Sequence, residues 1–102
     1  MVKEAKATLE MRKLLYETIL KCETSEDLEM LFEDLCTYKE VEQMAQRIAA
    51  AKMLQEKKTY AEIIEKTDIS SATLSRVSRC VQRGSGGYSK FVPEEGENGG
   101  DN

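Results

Sequence analysis

The sequence predicts an all-α fold, and three observations carry that prediction. Residues 1–83 contain neither glycine nor proline: the single proline is Pro93, and all six glycines lie at position 84 or later. Turns that need positive φ, β-hairpins above all, draw on glycine, and this stretch has none to offer. Ala, Leu, Glu, Lys, Met and Gln, the strong helix formers, are abundant. The third observation is the helix-start pattern S/T-x-x-E/Q, which occurs at Thr37–Glu40 and Thr59–Glu62, with a shorter acid at Thr24–Asp27.

These signals divide the chain into five helices. The first spans roughly 3 to 22, with Leu9, Leu14, Leu15, Ile19 and Cys22 on one stripe at helical spacing. The second spans roughly 25 to 36 and buries Leu28, Leu31, Phe32 and Leu35. The third, roughly 38 to 57, turns Val41, Met44, Ala45, Ile48, Ala51, Met53 and Leu54 inward, and its run "IAAAKML" permits close helix–helix approach. A short fourth helix, 60 to 66, carries Tyr60, Ile63 and Ile64. After the turn Thr67–Ile69, a fifth helix runs from about 70 to 83 with Leu74, Val77 and Val81 inward. Ser70 is its expected N-cap and Gly84 its expected C′ residue.

The expected organisation is a helical dimerisation region over 1–58, a helix-turn-helix over 59–84 and a flexible tail over 85–102. Within the tail, "GGYSKFV" has enough apolar surface to dock, whereas residues 94–102 have the composition of a disordered segment. Amphipathic stripes on the first helices could close a monomeric bundle or pack on a second copy. For so small a chain a homodimer is the expected arrangement.

Composition excludes much chemistry. There is no histidine, so Ser-His-Asp and Cys-His nucleophiles and His-based metal sites are absent. Cys22, Cys36 and Cys80 are odd in number and widely spaced, which favours reduced thiols over a disulfide framework or zinc site. No Gly-rich phosphate loop is present, and the many carboxylates sit at helix-surface spacing. The expectation is a non-enzyme with no metal. No apolar run is long enough for a membrane span, and no hydrophobic signal segment opens the chain. A cytoplasmic protein without membrane contact is expected.

The formal charge is −4, but it is unevenly spread. Residues 70–83 hold Arg76, Arg79 and Arg83 and no acid, whereas 84–102 hold Lys90 against four acids. Affinity for nucleic acid depends on local cations that displace counterions from phosphates, not on whole-chain charge. Residues Tyr60–Arg79 fit the helix-turn-helix template, which wants apolar side chains at its fourth, tenth, fifteenth and eighteenth positions. Ile63, Ile69, Leu74 and Val77 stand there. Two short helices meeting steeply share one small core, and the second projects its other face outward. The template's usual small residue at position five is Ile64, its apolar residue at position eight is Thr67, and its glycine at position nine is Asp68, a residue that tolerates αL.

The outward face of the fifth helix would then be Ser70, Ser71, Ala72, Thr73, Ser75, Arg76 and Arg79. Short side chains let the backbone sink into the major groove of double-stranded DNA. Hydroxyls meet base edges or phosphates, and arginine reads guanine or grips phosphate. Two readings follow: a DNA-binding transcription regulator, or a helical protein-interaction module that has lost DNA binding.

The stretch "TYAEIIEKTDISSATLSRVSR", preceded by "QRIAAAKMLQEKK", resembles the Trp repressor family. The core pattern I-S-x-x-T-L-S-R-V, here Ile69–Val77, is shared with many bacterial helix-turn-helix regulators. The order of elements, three helices ahead of the pair in about 85 residues, is similar to that family in particular. The resemblance implies a repressor built as an intertwined homodimer, its first three helices interlocked with the partner's. Two reading heads would then meet successive major grooves about 34 Å apart.

The resemblance also implies a small-molecule corepressor site between the third and fifth helices, held in the family by an arginine from each. Here those positions fall on Arg76 and on Gln46, with Arg47 next to it. Gln46 and Val77, the latter where tryptophan-binding members have a small residue, set the expectation that tryptophan is not the ligand. No other cofactor is implied. The family's sixth helix is expected to be replaced by the Gly-rich tail.

Overall fold

The computed structural model describes residues 6–93 and is all-helical over them. Its elements are α1 (Lys6–Leu20), α2 (Ser25–Leu35), α3 (Tyr38–Gln55), α4 (Tyr60–Thr67), α5 (Ser71–Arg83) and α6 (Gly87–Phe91). The expected start of the first helix at 3 and the expected disorder of 94–102 lie outside the described residues. The chain divides into two compact units between Lys39 and Glu40.

The first unit holds α1 and α2. α1 ends in tightened i→i−3 bonds, Lys21 N–H to the Thr18 carbonyl and Cys22 N–H to that of Ile19. Thr24 caps α2 by accepting the Asp27 N–H at 3.0 Å. The Asp27 carboxylate returns to the Glu23 N–H at 2.9 Å, one residue earlier than the Thr24 N–H that a full capping box would satisfy. Neither helix has a buried residue.

The second unit holds the hydrophobic core. Ala50 and Ala51 of α3, Ile63 of α4, Ile69 of the turn, Leu74 and Val77 of α5, and Val92 are buried. Met53, Leu54, Ile64, Val81 and Tyr88 pack around them. The small-residue run of α3 allows this: Ala50 and Ala51 are fully buried because nothing on their side chains holds the other helices away.

α3 stops two residues earlier than its pattern predicts. Lys57 adopts αL geometry with φ 67°, and the Lys58 N–H reaches the Met53 carbonyl at 3.0 Å while the Lys57 N–H reaches that of Leu54. This is a Schellman ending made without the glycine that normally announces it. α4 opens as expected: Glu62 N–H donates to Thr59 Oγ1 at 3.2 Å and Thr59 N–H to Glu62 Oε1 at 2.8 Å.

Two expectations at the C-terminal side are corrected. Gly84 does end α5, but as its C-cap in an extended conformation (φ −79°, ψ −161°), not in αL. Glycine is needed there for space, since a Cβ would stand 2.5 Å from the Cys80 carbonyl oxygen. Nor do residues 85–93 trail away as a tail in place of a sixth helix. Gly86, at φ 99°, turns the chain into α6, Gln55 Nε2 donates to the Tyr88 carbonyl at 3.2 Å, and Val92 enters the core. The glycines serve as a hinge between two helices, and the apolar content of "GGYSKFV" does the docking.

Candidate nucleic-acid interface

The four apolar template positions meet as expected. Ile63, Ile69, Leu74 and Val77 are all at most 2% exposed and belong to one cluster. Between the two helices the chain turns at Asp68, in αL geometry with φ 64° and ψ 20°, and its N–H caps the Ile64 carbonyl at 2.8 Å. α4 and α5 are therefore separate helices sharing a core, not one rod.

The two other template departures have local explanations. Ile64 is half-buried and packs against the core, so its bulk is accommodated there. Thr67 replaces an apolar contact with hydrogen bonds. Its hydroxyl donates to the Ile63 carbonyl at 2.8 Å and accepts the Ile69 N–H at 3.2 Å, which pins the turn.

The structure leaves Ser70, Ser71, Ala72, Ser75, Arg76 and Arg79 exposed, with Thr73 half-buried. Two of these hydroxyls serve the fold. Ser70 Oγ accepts the Thr73 N–H at 3.1 Å and donates to Thr73 Oγ1 at 2.9 Å. Arg76 and Arg79 are joined by Arg83, which the sequence places at i+7 from Arg76 and the structure leaves exposed on the same stripe. Helical periodicity alone puts it there, beyond the template's last position at 79. In this unit Lys52 pairs with Glu56 at 3.0 Å, and among the described residues no carboxylate pairs with these three arginines.

The corepressor positions are placed differently. Gln46 Nε2 donates to the Thr67 carbonyl at 3.1 Å, tying α3 to the end of α4. Arg47 is half-buried and Arg76 exposed. Val77 fills core volume beside Leu74. A pocket of about 400 Å³ does open in this unit, but Ile48, Cys80, Gly84, Tyr88, Phe91 and Val92 are among its walls, and none of Gln46, Arg47 and Arg76 is. Among the described residues no group of His, Cys, Asp or Glu is arranged to hold a metal ion, and no helix is long and apolar enough to cross a membrane.

The chain matches the Trp repressor protein family over residues 10–95. It is 42% identical over 74 residues to the uncharacterized protein YerC of Bacillus subtilis, covering 72% of this chain and 71% of that one. Among solved structures it is similar to a "putative Trp repressor" from Staphylococcus aureus, with TM-score 0.81, 31% identity, and coverage of 93% of this chain and all of the other. It is also similar to a TrpR-like protein from Eubacterium eligens, with TM-score 0.76, 38% identity, and coverage of 85% and 87%.

Proposed function

The chain belongs to the Trp repressor family, a family of DNA-binding regulators, and from that premise we propose that it is a sequence-specific transcriptional repressor that binds double-stranded DNA as a homodimer. The observation that carries this reading is the outward face of α5. Ser71, Ala72, Ser75, Arg76 and Arg79 are all exposed, while Leu74 and Val77 on the opposite side lock the helix into the core. A helix held rigidly by one face and presenting cations and short hydroxyl side chains on the other suits the major groove.

The homodimer is supported by the first unit. Leu9, Met11, Leu14, Tyr16 and Leu20 of α1 are more than half exposed, and Leu20 reaches 80%. Large apolar side chains exposed in that number on one helix mark an interaction surface. A second copy offers the matching stripe.

Tryptophan is not its corepressor on this reading. Val77 stands in the core and the Gln46 amide is engaged by Thr67. A small molecule of another shape is left as the effector, if the repressor uses one.

The test is a gel shift with random duplex at low salt, followed by selection of a preferred sequence from a random pool. Binding should weaken with salt at a log–log slope of about 0.9 per phosphate neutralised. No retardation at low salt would leave the interaction-module reading in its place.

A further inference from the structure

The cationic stripe of α5 has a second claimant within the chain. Arg76, Arg79 and Arg83 follow one another at i, i+3 and i+7, so their guanidinium groups leave the helix on one line about 10 Å long. Residues 94–102, "EEGENGGDN", contain Glu94, Glu95, Glu97 and Asp101 and no cation. The two residues before that segment are held by the folded unit. Val92 is buried in the core, and Pro93 lines the same pocket as Cys80 and Gly84 of α5. Cys80 is four residues after Arg76 and three before Arg83, so it borders the stripe. Pro93, the last described residue, therefore stands beside the C-terminal end of the arginine line. Nine residues reach at most about 30 Å, well beyond the length of the stripe.

We propose that residues 94–102 dock back across the Arg76–Arg79–Arg83 stripe and compete there with nucleic-acid phosphates. The competition half of this rests on the DNA-binding reading above; the docking half does not. Four acids oppose three arginines that no other described carboxylate engages. Tethering makes their encounter intramolecular, so even weak exposed pairs are populated. Non-specific contacts with phosphate, which rest on charge alone, are penalised most. Base-edge contacts, which the acids do not imitate, are penalised least. The segment thus acts as a filter against the bulk of genomic DNA.

The experiment compares the full chain with its full-length variant E94Q/E95Q/E97Q/D101N, whose substitutions leave every residue of the described core unchanged. Backbone amide spectra are recorded without DNA, and affinity for a random duplex is measured by fluorescence anisotropy at low salt. Docking predicts shifts at the amides of Ala72–Gly84 between the two proteins, shrinking as salt is added. It also predicts about fivefold tighter duplex binding by the variant. Arg83→Gln in the otherwise unchanged chain supplies the reciprocal arm, and should shift amides of residues 94–102. Identical α5 spectra overturn the docking even if affinity rises, since that rise would be a bulk-charge effect. Shifted spectra with unchanged affinity overturn the competition. Shifted spectra with no duplex binding by either protein uphold docking and retire the DNA-binding reading. Identical spectra with equal duplex binding do the reverse.

Discussion

Gly84 shows how one residue can be required for a reason that its φ does not reveal. Its backbone is in a region any residue adopts, yet a Cβ there would meet the Cys80 carbonyl oxygen at 2.5 Å, and that oxygen already accepts the Gly84 N–H. The obstruction is backbone, so no side chain can swing away to relieve it. Gly84→Ala is expected to lower stability by about 1–3 kcal/mol, the range for overpacking, read as a fall in the urea midpoint without a change in slope. Glu62 makes a second residue-level case. The Thr59 backbone N–H donating to it holds its carboxyl below the ordinary value of 4.5. A lowered folded value means that the cap contributes fully above that ordinary value and is lost as pH falls through the lowered one. Asp27, lowered by the Glu23 backbone N–H, behaves in the same sense. Glu62→Gln keeps a capping-box acceptor but cannot titrate. Its thermal midpoint should therefore fall less between pH 7 and pH 3 than that of the parent protein. Equal falls in both would show that the cap does not report on acid.

At the scale of the element, α5 divides its labour by face, and substitutions should divide the same way. Arg76 and Ser71 are exposed and hold no part of the core. Arg76→Ala and Ser71→Glu should each abolish duplex binding while leaving the helical circular dichroism unchanged. Unaltered affinity in both would remove α5 from the interface. The inward face carries the prediction about ligand. Isothermal titration with tryptophan should give no micromolar binding, because Val77 occupies core volume and Gln46 is committed to the Thr67 carbonyl. How far such divisions could be read beforehand depends on the kind of signal. The fourfold apolar pattern Ile63, Ile69, Leu74, Val77 was legible because periodicity survives in one dimension. So were the caps at Thr59 and Ser70, whose hydroxyls need only the next turn. The end of α3 was not, because Lys57 takes a conformation that sequence associates with glycine. The helix Gly87–Phe91 was hidden by its own glycines, and what holds it is tertiary: the Gln55 amide and the burial of Val92. Gln46 was legible as a departure from its family, but its bond to Thr67 joins residues 21 apart and leaves no local trace.

The whole molecule is asymmetric in how its two units are supported. The second has a core that includes Ile63 and Leu74, both fully buried, and each such side chain contributes on the order of 2–5 kcal/mol when its loss to alanine is measured. The first has two amphipathic helices and no buried residue in either. Burial of Leu, Met and Tyr side chains is worth roughly 1.5–3 kcal/mol each, and a single chain leaves that unrealised at Leu9, Met11, Leu14 and Leu20. Helices of 15 and 11 residues are marginal on propensity alone. On the homodimer reading a second copy covers these side chains, and folding of the first unit is coupled to association. Mass action then makes stability depend on concentration. The thermal midpoint should rise over a hundredfold increase in protein, and sedimentation should give a mass twice that of the 11.5 kDa chain. Leu14→Glu places a charge in the middle of the α1 stripe. It should shift the mass toward the monomer and lower helicity together, because the helix and the interface stand or fall as one. A monomer that keeps full helicity at any concentration would mean that α1 is stable without burying its stripe. The two reading heads would then have no common frame to space them along DNA.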